Sequence, residues 1–550
     1  MFRWKTLLLS VLTWVLPAWA QNQVEKHAIF EVALEGAESP LNPYLDIVAE
    51  AAVRRPDGQD WNVPLFWDGG KTWRLRLSPD KAGRWEYKVT STDPGLNGRS
   101  GGFDCRESRR PGGLRASSQW PGHFERQDGT PFWFMGDTAW GYLTDSAEDN
   151  HHRPQAEYYA QTRAAQGFNV IHCMVLSEQG VGNQRGLPFE DIAAEKINPG
   201  YWREVDERLA FANRAGLTVG LAIAWGDKRG VEPFAWSRFA SADARKRYAR
   251  YVAARYGAFD VYFLVSGEWH AEIRARKVAA EETVFRAFVD IGNALNAADA
   301  HGRMIGIHPM TAHGSVREFA AAPWMSFADY QQNYRELHGR ALLSRSLRGP
   351  VVNSEYGYHL RDADGDGKPD KENSYTTRDI RLASWDIVMA GGYLVTGFGT
   401  TYFGGHRDPG PFDVDAKRND DWEAQIGHIR KFFTQLKWWR LIPSDGLIAS
   451  GPERATDGMV ERGDGRTGIR PPASACWVMA DPGETYLLYV RGTLRAVEMD
   501  LGARGRPFLI RRFDPRTGEV AELGTALVAF RYRFEPPDEQ DWVVLLQSAP

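Results

Sequence analysis

Two hydrophobic rhythms divide the chain. From Gln127 to about Leu441, short apolar runs alternate with longer stretches whose apolar positions recur every three or four residues. Eight runs can be read: Phe132 to Gly136, Asn169 to Val175, Thr218 to Trp225, Val261 to Val265, Arg303 to His308, Trp324 to Tyr330, Pro350 to Glu355 and Gly392 to Phe398. Most are apolar at successive positions, as strands of a parallel sheet buried on both faces should be. The stretches between them carry helix punctuation. Pro154 stands near one helix start and Gly167 ends that helix before the second run. Tyr201, Val205, Leu209 and Ala212 form a helical stripe stopped by Gly216. Ser241 is placed to cap a helix ending at Gly257. Val284, Phe288, Ile291 and Leu295 make another stripe, and Ile380, Ala383 and Ile387 the next. Eight strand–helix units in roughly three hundred residues predict an α/β fold, a (β/α)8 TIM barrel, with a doubly wound open sheet as the structural rival.

The flanks follow a different rhythm. Residues 24 to about 105 hold short, partly alternating runs separated by Gly, Pro, Asp and Asn: Ala28 to Leu34, Leu45 to Val53, Thr72 to Leu77 and Gly83 to Val89. This is the pattern of an antiparallel β-sandwich. Arg109 to Ser118, with Pro111-Gly112-Gly113, reads as a linker. After about Gly446 the chain turns to β again, with Thr485 to Val490, Ala496 to Leu501, Pro507 to Phe513 and Trp542 to Leu546 as strands of a second small sandwich. The expected organisation is a leader at 1–20, an N-terminal sandwich at 21–113, the barrel at 114–445 and a C-terminal sandwich at 446–550.

The leader comes from the first twenty residues. Arg3 and Lys5 precede an apolar run from Leu7 to Leu16, and Ala18-Trp19-Ala20 offers small residues for cleavage. That run is short for a membrane span, and no Cys follows the cleavage point to anchor a lipid. An exported protein, periplasmic or secreted, is expected, with no membrane insertion once the leader is removed. A formal net charge of -4 gives no reason to expect nucleic acid or an anionic membrane as partner. The three cysteines, Cys105, Cys173 and Cys476, lie far apart and build no disulfide framework or zinc spacing. The 21 Trp either fill large cores or supply faces for sugar rings. Oligomeric state is open.

In a barrel, chemistry gathers at the C-terminal strand ends. The polar and aromatic residues there are Asp137 and Trp140; His172, Ser177 and Glu178; Trp225 and Asp227; Glu268 and Trp269; His308; Asp329, Tyr330 and Gln331; Glu355 and Tyr356; and Thr400 and Tyr402. Glu268 and Glu355 end the fourth and seventh runs, across the mouth from each other. Paired carboxylates are what glycosidic cleavage requires, one to protonate the leaving oxygen and one to attack the sugar or activate water. An oligo- or polysaccharide is the expected substrate, and catalysis needs no cofactor. Asp137, His172 and His308 are candidates to hold sugar hydroxyls. Trp140, Trp225 and Trp269, with Tyr330 and Tyr356, are candidates to line the pocket. Each has a structural alternative: a loop cap, a satisfied core histidine, or packing. A non-catalytic carbohydrate binder and an adhesive surface protein are the rival functions; a metal-dependent hydrolase lacks a ligand set at the strand ends. One further pattern stands apart. Asp362, Asp364, Asp366 and Asp370 alternate around a Gly as in the start of a calcium loop, but position twelve is Asn373, so the bidentate acid is missing or comes from elsewhere. A structural Ca2+ is expected there, against a solvated acidic loop.

A family resemblance sharpens this. Gln127-Asp-Gly-Thr-Pro-Phe-Trp-Phe-Met-Gly-Asp-Thr-Ala-Trp140, followed by Arg163-Ala-Ala-Gln-Gly-Phe-Asn-Val-Ile171, resembles the opening of the apiosidase-like (DUF4038) glycoside hydrolase barrels. Trp73-Arg-Leu-Arg-Leu77 and Gly83-Arg-Trp-Glu-Tyr87 resemble the DUF5060 β-sandwich found before such barrels, and Phe513-Asp-Pro-Arg-Thr-Gly518 with Asp541-Trp542 is similar to the collagen-binding-type β-domain that follows them. The resemblance implies a retaining-type hydrolase with an acid/base on strand four and a nucleophile on strand seven, the positions of Glu268 and Glu355. The chain departs from the family at strand four. Members often carry Asp in a Gly-Gly-Asp context, whereas this chain has Ser266-Gly267-Glu268. The longer acid speaks against apiose as the sugar, not against hydrolysis.

Overall fold

A computed structural model describes residues 23–37, 41–145, 152–177, 180–227, 233–276, 281–310, 313–314, 316–331, 336–359, 374–398, 422–452, 459–461, 467–469, 471–502 and 505–549. Eight parallel strands form its centre: β1 (Met135–Thr138), β2 (Val170–Met174), β3 (Thr218–Ala222), β4 (Val261–Leu264), β5 (Ile305–Gly306), β6 (Ala328–Gln331), β7 (Val351–Asn353) and β8 (Tyr393–Phe398). Each pairs in parallel with its neighbours, and β8 returns to β1 through Asp137 opposite Thr396. Between β5 and β6 the sheet is joined by a single parallel bridge, Ile305 to Met325, backed by the Ser326 N–H on the Ile305 carbonyl (2.9 Å). The ring is therefore a nearly closed TIM barrel.

The principal helices behind the strands are α1 (Arg153–Ala165), α2 (Pro199–Arg214), α3 (Ala242–Tyr256), α4 (Glu281–Ala298), α5 (Leu337–Leu347), α6 (Thr377–Met389) and α7 (Trp422–Thr434). Their ends follow the punctuation. Pro stands in the first turn of α1, and Gly167 follows its end at φ +96°. Ser241 accepts from the Ala244 N–H at the start of α3, and Thr376 with Asp379 closes a capping box on α6. No described helix is long and apolar enough to cross a membrane.

Side chains alternate across the barrel wall. On β2, Val170, His172 and Met174 face inward, while Ile171 and Cys173 join the cluster under the helices. Thr138, His172, Gly220 and Tyr262 stand side by side in one inner layer. A Cβ on Gly220 would lie 2.6 Å from both the His172 ring and the Tyr262 ring. Its absence lets those two side chains meet.

The first strand differs from the reading of the sequence. Pro131–Phe132 belongs to a separate three-stranded antiparallel sheet with Phe124–Arg126 and Leu114–Ala116, and the barrel strand starts at Met135. The supposed linker is thus partly folded. Phe124 and Phe134 pack on Tyr393 and Phe327 and close the N-terminal end of the barrel (Phe124–Tyr393 centroids 5.2 Å).

Two β-sandwiches flank the barrel. The N-terminal one sets a five-stranded sheet against a three-stranded one around Trp85, Phe103, Leu75 and Val53. It is antiparallel except at one edge, where Gln23–Glu25 runs parallel to Ser100–Arg106. Leu45, read as strand, lies in the short helix Pro43–Asp46, and the strand begins at Ala49. Charged pairs tie this sandwich to the barrel: Arg76 and Arg255 share Asp206 (2.9 and 2.7 Å), and Arg255 also reaches Asp68 (3.0 Å). The C-terminal sandwich docks on α6, where Asp386 takes both arms of Arg491 (2.6 and 2.9 Å), Arg381 grips Asp541, and Trp385 stacks on Tyr489 at 5.3 Å.

Candidate active site

The barrel's inner wall converges on Glu355, two residues past the end of β7. Its Oε2 meets Nε2 of His308 at 3.2 Å, and its Oε1 accepts from the hydroxyl of Tyr358. His308 follows β5 and is fully buried. Its Nδ1 lies 2.8 Å from Oγ of Ser354, and the Ser354 hydroxyl donates to Asp329 on β6. With Glu355 ionised, the proton count gives the histidine's state. Glu355 as a carboxylate can only accept, so Nε2 carries a proton. Ser354 spends its one proton on Asp329, so its oxygen accepts from Nδ1–H. Both ring nitrogens donate, and the ring is an imidazolium. Burial alone would lower the pKa of His308, but hydrogen bonds and charge from Asp329 and Glu355 outweigh it and push it up to about 9. Burial likewise raises Asp329, opposed by His308 and Ser354.

Aromatic rings stand beside this group. Trp140 lies 5.3 Å from His308 and 5.0 Å edge-on from Trp225, which is 5.8 Å from His308 (ring centroids). The Trp140 indole N–H reaches the Tyr358 hydroxyl at 3.4 Å. His172 sits 5.8 Å from Trp140 and hydrogen-bonds Tyr262 across Gly220. Burial and the charge on His308 hold His172 well below its ordinary pKa, so it is neutral. Trp225 and the segment after β4 are joined by backbone, Gly226 N–H to Gly267 carbonyl at 2.9 Å and Gly267 N–H to Ala224 carbonyl at 3.0 Å. The Trp225 ring packs against Gly267, where a Cβ would lie 2.0 Å from it. Glu268 comes next, 8% exposed, in the left-handed backbone region at φ +41°. A β-carbon makes that conformation costly, by about 1–2 kcal/mol, and such strain concentrates at functional sites.

Of the residues singled out from the sequence, Trp140, His172, Trp225, His308 and Glu355 come together, with Glu268 beside Trp225. Four others do not reach the mouth. Asp137 turns outward to α1, where Arg163 (2.6 Å) and Tyr159 (2.7 Å) bind it, and Arg163 also holds Glu423 of α7 (3.1 Å). Trp269 packs against Phe285 and Phe288 of α4 and against Phe319. Tyr330 belongs to the apolar cluster under the helices, with Ala341 of α5. Tyr356 bonds Ser384 of α6 at 2.6 Å. The reason is shared: neighbouring residues at a strand end point to opposite sides of the wall. The Asp227 carboxylate accepts from the Ser237 hydroxyl (3.1 Å), and its backbone N–H donates to Glu272 (3.2 Å). The sequence reading passed over Tyr358 and Ser354. Their only local signal was polar residues flanking Glu355 in Asn353-Ser-Glu-Tyr-Gly-Tyr358. Asp362, Asp364, Asp366 and Asp370 lie outside the described residues, as do Glu178, Thr400, Tyr402 and the leader. Among the described residues no group of three or more His, Cys, Asp or Glu is placed to hold a metal.

A family model described as apiosidase-like, catalytic domain, matches residues 120–440. The chain belongs to the apiosidase-like family. This apiosidase-like protein is a glycoside hydrolase, and its N-terminal sandwich matches DUF5060, a domain of unknown function, over residues 23–92. No curated protein matches it. Among solved structures, a candidate glycoside hydrolase from Bacteroides vulgatus superposes with a TM-score of 0.73 at 17% identity, over 96% of this chain and 100% of the other. A second glycoside hydrolase gives 0.61 at 19% identity, over 80% and 97% of the two chains. A glycoside hydrolase family 5 protein from Bacteroides vulgatus gives 0.60 at 17%, over 80% and 93%. At such identities these structures speak for the fold.

Proposed function

We propose that this apiosidase-like hydrolase is exported and cleaves a glycosidic bond in a plant or microbial polysaccharide with retention, Glu355 acting as nucleophile and Glu268 as acid/base. The observation that carries the reading is the setting of the Glu355 carboxylate inside the barrel mouth. His308 and Tyr358 each donate to one of its oxygens, which keeps it ionised and aims it. Glu268 supports the second role by its place after β4, across the mouth from β7, and by its strained backbone. Arg3, Lys5 and the apolar Leu7 to Leu16 support export.

In the first half-reaction Glu355 forms a bond to the anomeric carbon as the bond to the leaving oxygen breaks, and that oxygen takes the proton of Glu268. In the second, Glu268 removes a proton from water, the water oxygen bonds to the anomeric carbon, and the ester to Glu355 breaks, restoring both carboxyls. Trp140 and Trp225 offer faces to the sugar ring, and His172 and His308 border its hydroxyls. As part of the same reading, the acidic run from Asp362 to Asp370 holds a structural Ca2+. Calorimetry on chelator-treated protein tests it: heat and a raised melting temperature support the ion, and neither discards it.

A screen of polysaccharides, followed by proton NMR of the anomeric signal as it first forms, tests the main reading. The first product keeps the substrate's anomeric configuration; an inverted signal rules out the covalent route through Glu355. Glu355→Gln remains folded and loses at least about a thousandfold in kcat. Full turnover by that variant removes the nucleophile assignment.

A further inference from the structure

At the end of the barrel opposite the catalytic mouth, a cleft of about 470 Å³ opens between the N-terminal sandwich, the Pro111-Gly112-Gly113 segment and the strand starts. Its lining is basic, and two of its arginines are handled differently. Arg126 is satisfied: it takes both oxygens of Asp260 (2.8 and 2.9 Å) and bonds Thr218 (2.8 Å). Arg303 is not. It is 7% exposed, yet its guanidinium makes one hydrogen bond among the described residues, from Nε to the carbonyl of Gly257 (2.8 Å). No described carboxylate lies within ion-pair distance of it. The fork lies against the backbone of Gly113, where a Cβ would come 1.5 Å from one terminal nitrogen. Arg214 lines the same cleft from an exposed position, and the half-buried His27, held at φ +64°, lines it too.

The terminal nitrogens of Arg303 open on the cleft, where water alone gives this largely buried cation no counter-charge and an anion would supply it. The planar pair of donors matches the two oxygens of a carboxylate or phosphate. We propose that this cleft is an oxyanion-binding site, in which the Arg303 fork takes the carboxylate of an acidic sugar or a phosphate, with Arg214 adding charge at the rim. Burial and the nearby Arg126 hold the Arg303 pKa below its ordinary value despite Asp299 and Asp260, the mark of a cation short of counter-charge. The site does not depend on the roles given to Glu268 and Glu355. It lies at the strand starts, so a bound acidic sugar there would tether a chain at a distance from the reacting bond.

Titration calorimetry on the full mature protein tests this, with D-glucuronate, inorganic phosphate and D-glucose at matched ionic strength. A saturable heat with glucuronate or phosphate, and none with glucose, is expected. Heat with glucuronate alone assigns a sugar acid; heat with phosphate assigns phosphate. Arg303→Lys keeps the charge but loses the fork and should weaken binding about tenfold or more, with glycosidase turnover within about twofold of wild type. Arg214→Gln, at an exposed position that does not threaten folding, should weaken it about threefold. No heat with either anion, or heat that both variants leave unchanged, overturns the proposal; the second outcome would put the anion elsewhere, as at the catalytic mouth.

Discussion

Asp137 and Glu355 are chemically alike but stand on opposite sides of the barrel wall. Both are carboxylates at the C-terminal ends of barrel strands, both are buried, and each binds one cationic side chain and one tyrosine hydroxyl. Asp137 sits behind the wall with Arg163 and Tyr159, fully buried; Glu355 sits inside it with His308 and Tyr358, 7% exposed. The difference lies in the cation and the side. A guanidinium stays charged at every accessible pH and holds its carboxylate in place. An imidazolium can be tuned and can release its proton. The outer pair joins β1 to α1 and α7, whereas the inner one leaves its carboxylate at the cavity.

The largest effects should fall on opposite observables. Glu355→Gln neutralises the carboxylate proposed as nucleophile and should leave the melting temperature near that of wild type, with activity down at least about a thousandfold. Asp137→Ala takes one carboxylate from the buried Arg163, with Glu423 remaining, and should cost about 3 kcal/mol of stability, the low end for a broken buried pair, while the fraction that remains folded keeps its kcat/KM within a few-fold. Urea titration and steady-state kinetics on the two variants decide the matter. An Asp137→Ala enzyme of full stability and no activity would reverse the contrast.

How much of this was legible beforehand follows from the same alternation. The barrel and its helices were readable because fully apolar runs and capped 3.6-residue stripes report burial and period directly. Trp133 and Phe134 show the limit: Trp133 stacks on Phe433 of α7, Phe134 helps close the barrel floor, and both are as apolar as the strand that follows, so the first strand was placed three residues early. The site was half legible. Strand ends could be located to within a residue or two, but a one-residue shift sends a side chain to the other face. Asp137, Trp269, Tyr330 and Tyr356 were therefore taken for the mouth and face the helices instead. Ser354 and Tyr358 escaped because nothing local marks a hydroxyl that serves a neighbour's carboxylate.

Asp329 gives the next test. Among the described residues its hydrogen bonds lead to Glu355 through Ser354 and His308, so it positions and does not react. Asp329→Asn weakens the charge-assisted bonds that keep His308 doubly protonated, and kcat should fall about ten- to a hundredfold, the equivalent of one or two such bonds. The pH profile separates this from a purely structural loss. The folded pKa of His308, about 9, lies above its ordinary 6.5. The stability it contributes is fully present below about pH 6.5 and is lost as pH rises through about 9. Wild-type kcat/KM should decline over the same alkaline limb, and in Asp329→Asn the limb should move to lower pH. An unmoved limb would detach His308 from Asp329.

The smallest and sharpest comparison uses two tyrosines two residues apart. Tyr358 donates to Glu355 within the mouth; Tyr356 bonds Ser384 of α6 behind the wall. Each Phe substitution deletes one hydroxyl and little volume, so packing stays constant and only the hydrogen bond is tested. Tyr358→Phe should lower kcat about tenfold with stability nearly unchanged, because the lost donor served an ionised carboxylate. Tyr356→Phe should cost about 1 kcal/mol of stability with kcat unchanged, because its partner is a neutral hydroxyl within the packed layer. Equal effects of the two on kcat would mean that the wall does not separate chemistry from packing at β7. The ionisation of Glu355 would then have to come from His308 alone.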